Sequence, residues 1–149
     1  MLKQLLDKIR TFAEDDVESD TEQLLATAAA TLLMEVAWAD HHISDQELAA
    51  IRSAIASRFT LDDATLDAII EESRQHQDVS VGLQSFTRTI TEAWDEDTRY
   101  QLIVTMWQLA GTDDEVHRFE EHMIRKIADL LYVSHRRFIE AKREAAGNG

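Results

Sequence analysis

The chain has no proline in 149 residues and only four glycines, two of them at positions 147 and 149. Proline is the residue that breaks a helix interior, by removing an amide donor and by colliding with the preceding turn. A chain without it, with apolar residues recurring every three or four positions, is constrained to helices joined by short polar loops. Leu2, Leu5, Leu6, Ile9 and Phe12 outline a first short helix. The acidic run from Glu14 to Asp20 interrupts it, and a second helix is predicted over residues 21–39. Its apolar set, Leu24, Leu25, Ala28, Leu32, Leu33, Val36 and Ala37, is wide enough for a buried central helix.

The remaining helices announce themselves by caps. Ser44 and Glu47 form the S-x-x-E capping pattern before Leu48, Ile51, Ile55 and Phe59. Asp62 or Asp63 opens a helix with Leu66, Ile69 and Ile70, and the polar stretch Glu71 to Asp78 closes it. Val79, Leu83, Phe86 and Ile90 follow, around Gly82. Asp95 or Asp97 opens the next helix, with Leu102, Ile103, Met106 and Leu109. Another is predicted over residues 117–132, and Ser134 caps the last, which carries Phe138 and Ala141. The expected fold is all-α, a single-domain bundle of about seven to eight helices. Residues 1–19 form an N-terminal helix and acidic linker, and residues 20–146 the helical domain.

Charge and composition exclude several function classes. Lys and Arg total 15 against 29 Asp and Glu, for a formal charge of -14. Such a surface repels nucleic acid and anionic membranes, and leaves cations and basic protein surfaces as partners. The absence of cysteine removes disulfides, thiolate zinc sites, iron–sulfur clusters and cysteine nucleophiles. No apolar run approaches the ~20 residues needed to cross a bilayer. The N-terminus lacks the pattern of a signal peptide, so the expected location is cytoplasmic. No phosphate loop, nucleophile elbow, dinucleotide fingerprint or Ser-His-Asp order occurs, and the protein reads as a non-enzyme.

The chain also carries an internal register. Ala37 and Ala110, Asp40 and Asp113, Ile43 and Val116, Glu47 and Glu120, and Ile51 and Ile124 all stand 73 positions apart. The shared pattern Asp-x-x-(Ile/Val)-x-x-x-Glu predicts an internal duplication of a helical unit, packed about a pseudo-two-fold axis. That packing would bring together Asp40, Glu47, Asp113 and Glu120. Four clustered carboxylates repel one another unless a cation joins them, and oxygen-only donors favour Ca²⁺, Mg²⁺ or Mn²⁺. The spacing fits only the second half of an EF-hand loop: positions 1 and 3 fall on Val36 and Trp38, so a true EF-hand is rejected. Glu47 also has a purely structural reading, as the capping partner of Ser44. His41, His42, His117 and His122 lie near the two loops without a H-x-x-x-H pair, and read as exposed loop histidines. Trp38, Trp94 and Trp107 fall within or beside apolar helical stripes and read as core or groove-lining residues, with Trp38 and Trp107 lining the groove of a metal-free adaptor. A metal-assisted hydrolase using the same carboxylates is a weaker alternative.

The segments LLMEVAWADHHISDQELAAI and IVTMWQLAGTDDEVHRFEEHMIRKIADLL resemble the tellurite-resistance protein B family, the TerB-like proteins. The signature A-x-A-D-x-x-(I/V)-x-x-x-E-x-x-x-I sits at the end of one helix and the start of the next. The resemblance covers about residues 20–145. It implies an all-helical fold with duplicated units, and acidic residues that bind a divalent cation. Carried onto this chain, these are Asp40, Glu47, Asp113 and Glu120. It also implies a link to tellurite resistance and bacterial stress responses. The chain has His41 where the family usually has glycine.

Overall fold

The computed structural model describes residues 21–40, 42–75, 83–110 and 118–147. Among the described residues there are seven α-helices, one short 3₁₀ turn and no strand. Helix α1 covers residues 21–37, and the 3₁₀ turn Trp38–Asp40 follows it. The others are α2 (Asp45–Arg58), α3 (Asp63–Gln75), α4 (Leu83–Ala93), α5 (Glu96–Ala110), α6 (Arg118–Leu130) and α7 (His135–Gly147). The expected N-terminal helix over residues 2–12, and Val79 and Gly82 of the fifth expected helix, lie outside the described residues.

Two helices form the centre. In α1 the buried residues include Ala26, Ala28, Ala29, Ala30, Leu32, Leu33, Met34, Val36 and Ala37. They fall on every side of the helix, so from Ala26 onward α1 has to be enclosed by its neighbours, whereas Leu24, expected in the buried set, lies in the first turn and is 59% exposed. The one buried polar residue in this stretch, Thr31, returns its hydroxyl to the Thr27 carbonyl at 2.7 Å. Helix α5 is enclosed over most of its surface, with Leu102, Ile103, Val104, Met106, Trp107, Leu109 and Ala110 buried and Gln101 and Gln108 exposed. It packs against α2, α6 and α7, while α6 also packs against α4, α7 and the 3₁₀ turn. No described helix is long and apolar enough to cross a membrane.

The helix starts resolve two ambiguities in the sequence. Asp62, not Asp63, caps α3, accepting from the Thr65 amide at 2.7 Å. Asp95, not Asp97, caps α5, accepting from the Thr98 amide at 2.9 Å. The Thr65 and Thr98 hydroxyls and amides hold these two carboxyls below the ordinary aspartate value. Ser134 caps α7 as expected, through the Arg137 amide at 3.2 Å. Helix α3 continues through Glu71 and Glu72 to Gln75, beyond the expected stop.

The end of α6 differs from the sequence reading. The helix stops at Leu130, and Tyr132 takes a left-handed conformation with φ 58°. The Val133 amide donates to Ala128 and the Tyr132 amide to Asp129, at 2.9 and 3.2 Å. This is the paired closure of a Schellman motif, made by tyrosine where glycine is usual. Arg99 of α5 donates to the Leu131 carbonyl at 2.6 Å and satisfies an acceptor the ending helix leaves unpaired.

Helix α7 is held onto α5 by an aromatic and ionic seam. Trp107 meets Phe138 with ring centroids 5.2 Å apart. The Arg137 guanidinium lies 4.1 Å over the Tyr100 ring and reaches Asp97 and Glu96 at 3.1 and 3.4 Å. Burial, followed by the hydrogen bond to Glu144, pushes the Tyr100 phenol up to about 12.

Two outcomes are expected. Tyr132 is 76% exposed, so removing its ring costs little packing. A left-handed non-glycine residue costs ~1–2 kcal/mol, against ~0.5–1 kcal/mol for the freedom glycine adds to the unfolded chain. Tyr132→Gly should therefore raise the unfolding free energy by about 0.5–1 kcal/mol in urea titrations, and a loss would contradict the strained closure. The second concerns pH. Tyr100 keeps its proton in the folded state above the unfolded value of 10.0, so its contribution is complete below pH 10 and fades as pH rises towards 12. Tyr100→Phe should flatten stability against pH over that window, measured by denaturant midpoints at successive pH values.

Candidate functional site

Each central helix is followed in the chain by a helix with a buried glutamate near its start. After α1 the 3₁₀ turn ends at Asp40, and Ser44 caps α2. The Glu47 amide donates to Ser44 Oγ and the Ser44 amide donates to Glu47 Oε1, both at 3.0 Å. This is the reciprocal capping box read from the sequence. Ile43, just before Ser44, is half-buried against the core and anchors the start of α2. Glu47 itself is only 4% exposed. A carboxylate at that depth needs hydrogen bonds and favourable dipoles, and the start of a helix supplies both.

The second acidic segment of the sequence follows α5. Residues 111–117 lie outside the described residues, and α6 begins at Arg118. Glu120 is its third residue, as Glu47 is the third of α2, and it is 3% exposed. Of the four expected ligands, Glu47 and Glu120 are thus described and buried. Asp113 and the side chain of Asp40 lie outside the described residues. Among the described residues no group of three or more His, Asp or Glu is placed to hold a metal ion. His42 and His122 are exposed, and His41 and His117 lie outside the described residues.

The 73-residue register aligns these elements closely. Helices α2 and α6 begin at residues 45 and 118, and α3 and α7 at 63 and 135. Burial follows it at Leu33 and Met106, Val36 and Leu109, Ala37 and Ala110, and Ile51 and Ile124. It fails at Phe59 and Tyr132. Phe59 is buried and extended at the end of α2, while Tyr132 is exposed and left-handed.

The expected groove lining needs one correction. Trp107 is 3% exposed, packed beneath Lys142 and against Phe138, and its indole Nε1 has no hydrogen-bond partner. It belongs to the core. The tryptophan that lines a groove is Trp94, which stacks on Phe59 at 6.0 Å below the Arg58 guanidinium. Helical spacing placed both tryptophans beside apolar stripes. Only the packing of α7 on α5 decides that Trp107 is covered.

The cap can be tested apart from any ligand. Ser44→Ala should lower the unfolding free energy by about 1 kcal/mol, and Ser44→Asp should recover most of the loss. Equal stability of all three proteins in urea would show that the box does not hold the start of α2.

No curated protein and no solved structure matches the chain. A family model described as tellurite resistance protein TerB matches residues 26–143. The match runs from the first buried residue of α1 into α7 and takes in Asp40, Glu47, Asp113 and Glu120. With an all-helical fold and a match over most of its length, the chain belongs to the TerB family.

Proposed function

We propose that this protein is a non-enzymatic, cytoplasmic TerB-like module that binds a divalent cation at its two acidic turns, in tellurite resistance or a general stress response. The observation that carries this reading is the burial of Glu47 and Glu120, each the third residue of a helix that follows a central helix. Capping explains one oxygen of Glu47, which accepts from Ser44. Capping alone does not require the carboxylate to be buried, because a box forms equally well at the surface. Carboxylate donors suit a hard cation such as Ca²⁺, Mg²⁺ or Mn²⁺. We read the recurrence at 73 residues as a duplicated helical unit about a pseudo-two-fold axis, with Asp40 and Asp113 completing the donor set. A second reading, a metal-free protein–protein adaptor, has in its favour an open groove between α2 and α5, described below.

The test compares melting in millimolar Ca²⁺, Mg²⁺ or Mn²⁺ at matched ionic strength, which removes general screening of the -14 charge. An ion at 100 times its dissociation constant should stabilise the native state by ~2.7 kcal/mol. Glu47→Gln keeps a capping acceptor and loses the charge. It should preserve stability without the ion and abolish the ion-specific gain, as should Asp40→Asn and Asp113→Asn. Equal gains with every salt, unchanged by these substitutions, would favour the adaptor.

A further inference from the structure

The groove between α2 and α5 is a long crevice. Two adjoining cavities of about 230 and 440 Å³ share Leu33, Ala54, Ser57, Thr105 and Gln108 in their walls. Ala50 and Leu109 stand at one end, and Arg58, Phe59, Trp94 and Thr98 at the other. Together the cavities have the size of a small-molecule site, and its usual make-up of apolar walls with a few polar groups. Width, length and charge define what the crevice takes.

The crevice is narrow. Leu33, Ile51 and Ile55 line it, yet they are only 1%, 1% and 2% exposed. Its floor is therefore reached through a thin opening, left by the small side chains of Ala50, Ser53, Ala54 and Ser57 on α2. A helix of a partner protein, ~10–12 Å across with its side chains, is too thick to lie on that floor. A thin, flexible chain fits.

The length sets the size of that chain. Helix α2 lines the crevice from Ala50 to Arg58, with Phe59 beyond it, and α5 lines it from Thr98 to Leu109. At a rise of ~1.5 Å per residue these stretches are about 14 and 16 Å long. With C–C bonds of ~1.5 Å, an extended zigzag of about ten to twelve carbons spans that distance.

Charge sets its end group. In a chain with 29 acidic residues, the only charged residue among the described ones lining the crevice is Arg58. Arg52, Arg136, Arg137 and Lys142 all reach carboxylates. Arg58 makes no ion pair among the described residues, and its guanidinium lies 5.2 Å over the Trp94 ring. Asp95 is near enough to feel its charge, but caps α5 through Thr98. A guanidinium held on an aromatic face keeps the N–H groups at its edge free, in the planar fork that takes a carboxylate by two parallel bonds. A polyanion would meet the charge of -14 on the whole chain, whereas a single carboxylate meets little of it.

We infer that the crevice between α2 and α5 binds a medium-chain carboxylic acid as its anion, with the carboxylate on Arg58 and the apolar chain over Leu33 towards Leu109. This inference does not depend on cation binding at Glu47 and Glu120. It gives a small-molecule occupant to the surface on which the adaptor reading relies.

Decanoate is the probe, used below its micelle concentration and at matched ionic strength. Titrated into the full chain, it should give saturable NMR shifts at the amides of residues 50–59 and 98–109, and leave those of α6 in place. Decanol has the same chain without the charge, and should bind at the same amides about tenfold more weakly. The decyltrimethylammonium ion is favoured by the net charge of the protein, yet should give no saturable shift there. Arg58→Gln, at an exposed position, should reduce the affinity for decanoate to that for decanol and leave decanol unchanged. Ala54→Met should close the crevice to both. Absence of a saturable shift with decanoate would overturn the inference. So would tighter binding of the ammonium ion, or an affinity for decanoate that Arg58→Gln does not change. Movement of the same amides on dilution of the protein alone would make a second copy the occupant, and would overturn it too.

Discussion

Two central helices with most of their surface buried dictate the rest of this protein. The apolar sets of α1 and α5 extend over most of each helix, and each has to be covered by several others at once. The alanines of α1, at 26, 28, 29 and 30, permit close approach on several sides. The larger side chains of α5 complete the core against α7. The placement of the buried glutamates follows from this arrangement. Glu47 and Glu120 are each the third residue of the helix that comes after a central helix, and each is drawn inward. The position of Glu47 and Glu120 is thus set by core packing before any ligand is considered.

The acidic excess is ordered by the same helices. Asp62 and Asp95 are caps, and Asp45, Glu47, Asp63, Glu96, Asp97, Glu120 and Glu121 occupy first turns. Negative charge there meets the positive end of the helix dipole and the unpaired amides. Arg58 and Arg74 sit in last turns, where the dipole has the opposite sign. Between helices, Arg52 of α2 reaches Asp67 of α3 at 3.0 Å, and Lys142 of α7 reaches Glu121 of α6 at 3.6 Å. A charge of -14 is therefore compatible with a compact bundle, because much of it lies where backbone dipoles attract it.

Features encoded by local chemistry were legible in the sequence. Ser44 with Glu47, and Ser134, marked helix starts correctly because a cap needs only its own hydroxyl and amides three residues on. The central burial of α1 was legible from the width of its apolar set. Features decided between helices were not. Asp62 and Asp63 are equivalent as letters, and only the hydrogen bond to Thr65 separates them. Tyr132 gave no sign of a left-handed turn, because the usual signal is glycine and tertiary context overrides its absence. Trp94 and Trp107 could not be told apart until α7 was seen to cover one of them. The burial of Glu47 was hidden by its adequate role as a surface cap, although its counterpart Glu120 lacks a serine three residues earlier.

The central proposal is that the two buried glutamates respond to one kind of event, the arrival of a divalent cation beside them. Side-chain carboxyl ¹³C shifts, followed during titration with the diamagnetic ions Ca²⁺ or Mg²⁺ at constant ionic strength, read that event directly. The account predicts that Glu47 and Glu120 shift in a saturable manner with one ion, while the exposed carboxylates of Glu71 and Glu140 stay near their starting positions. Small, unsaturated shifts of similar size in all the carboxylates, with no response confined to Glu47 and Glu120, would contradict it.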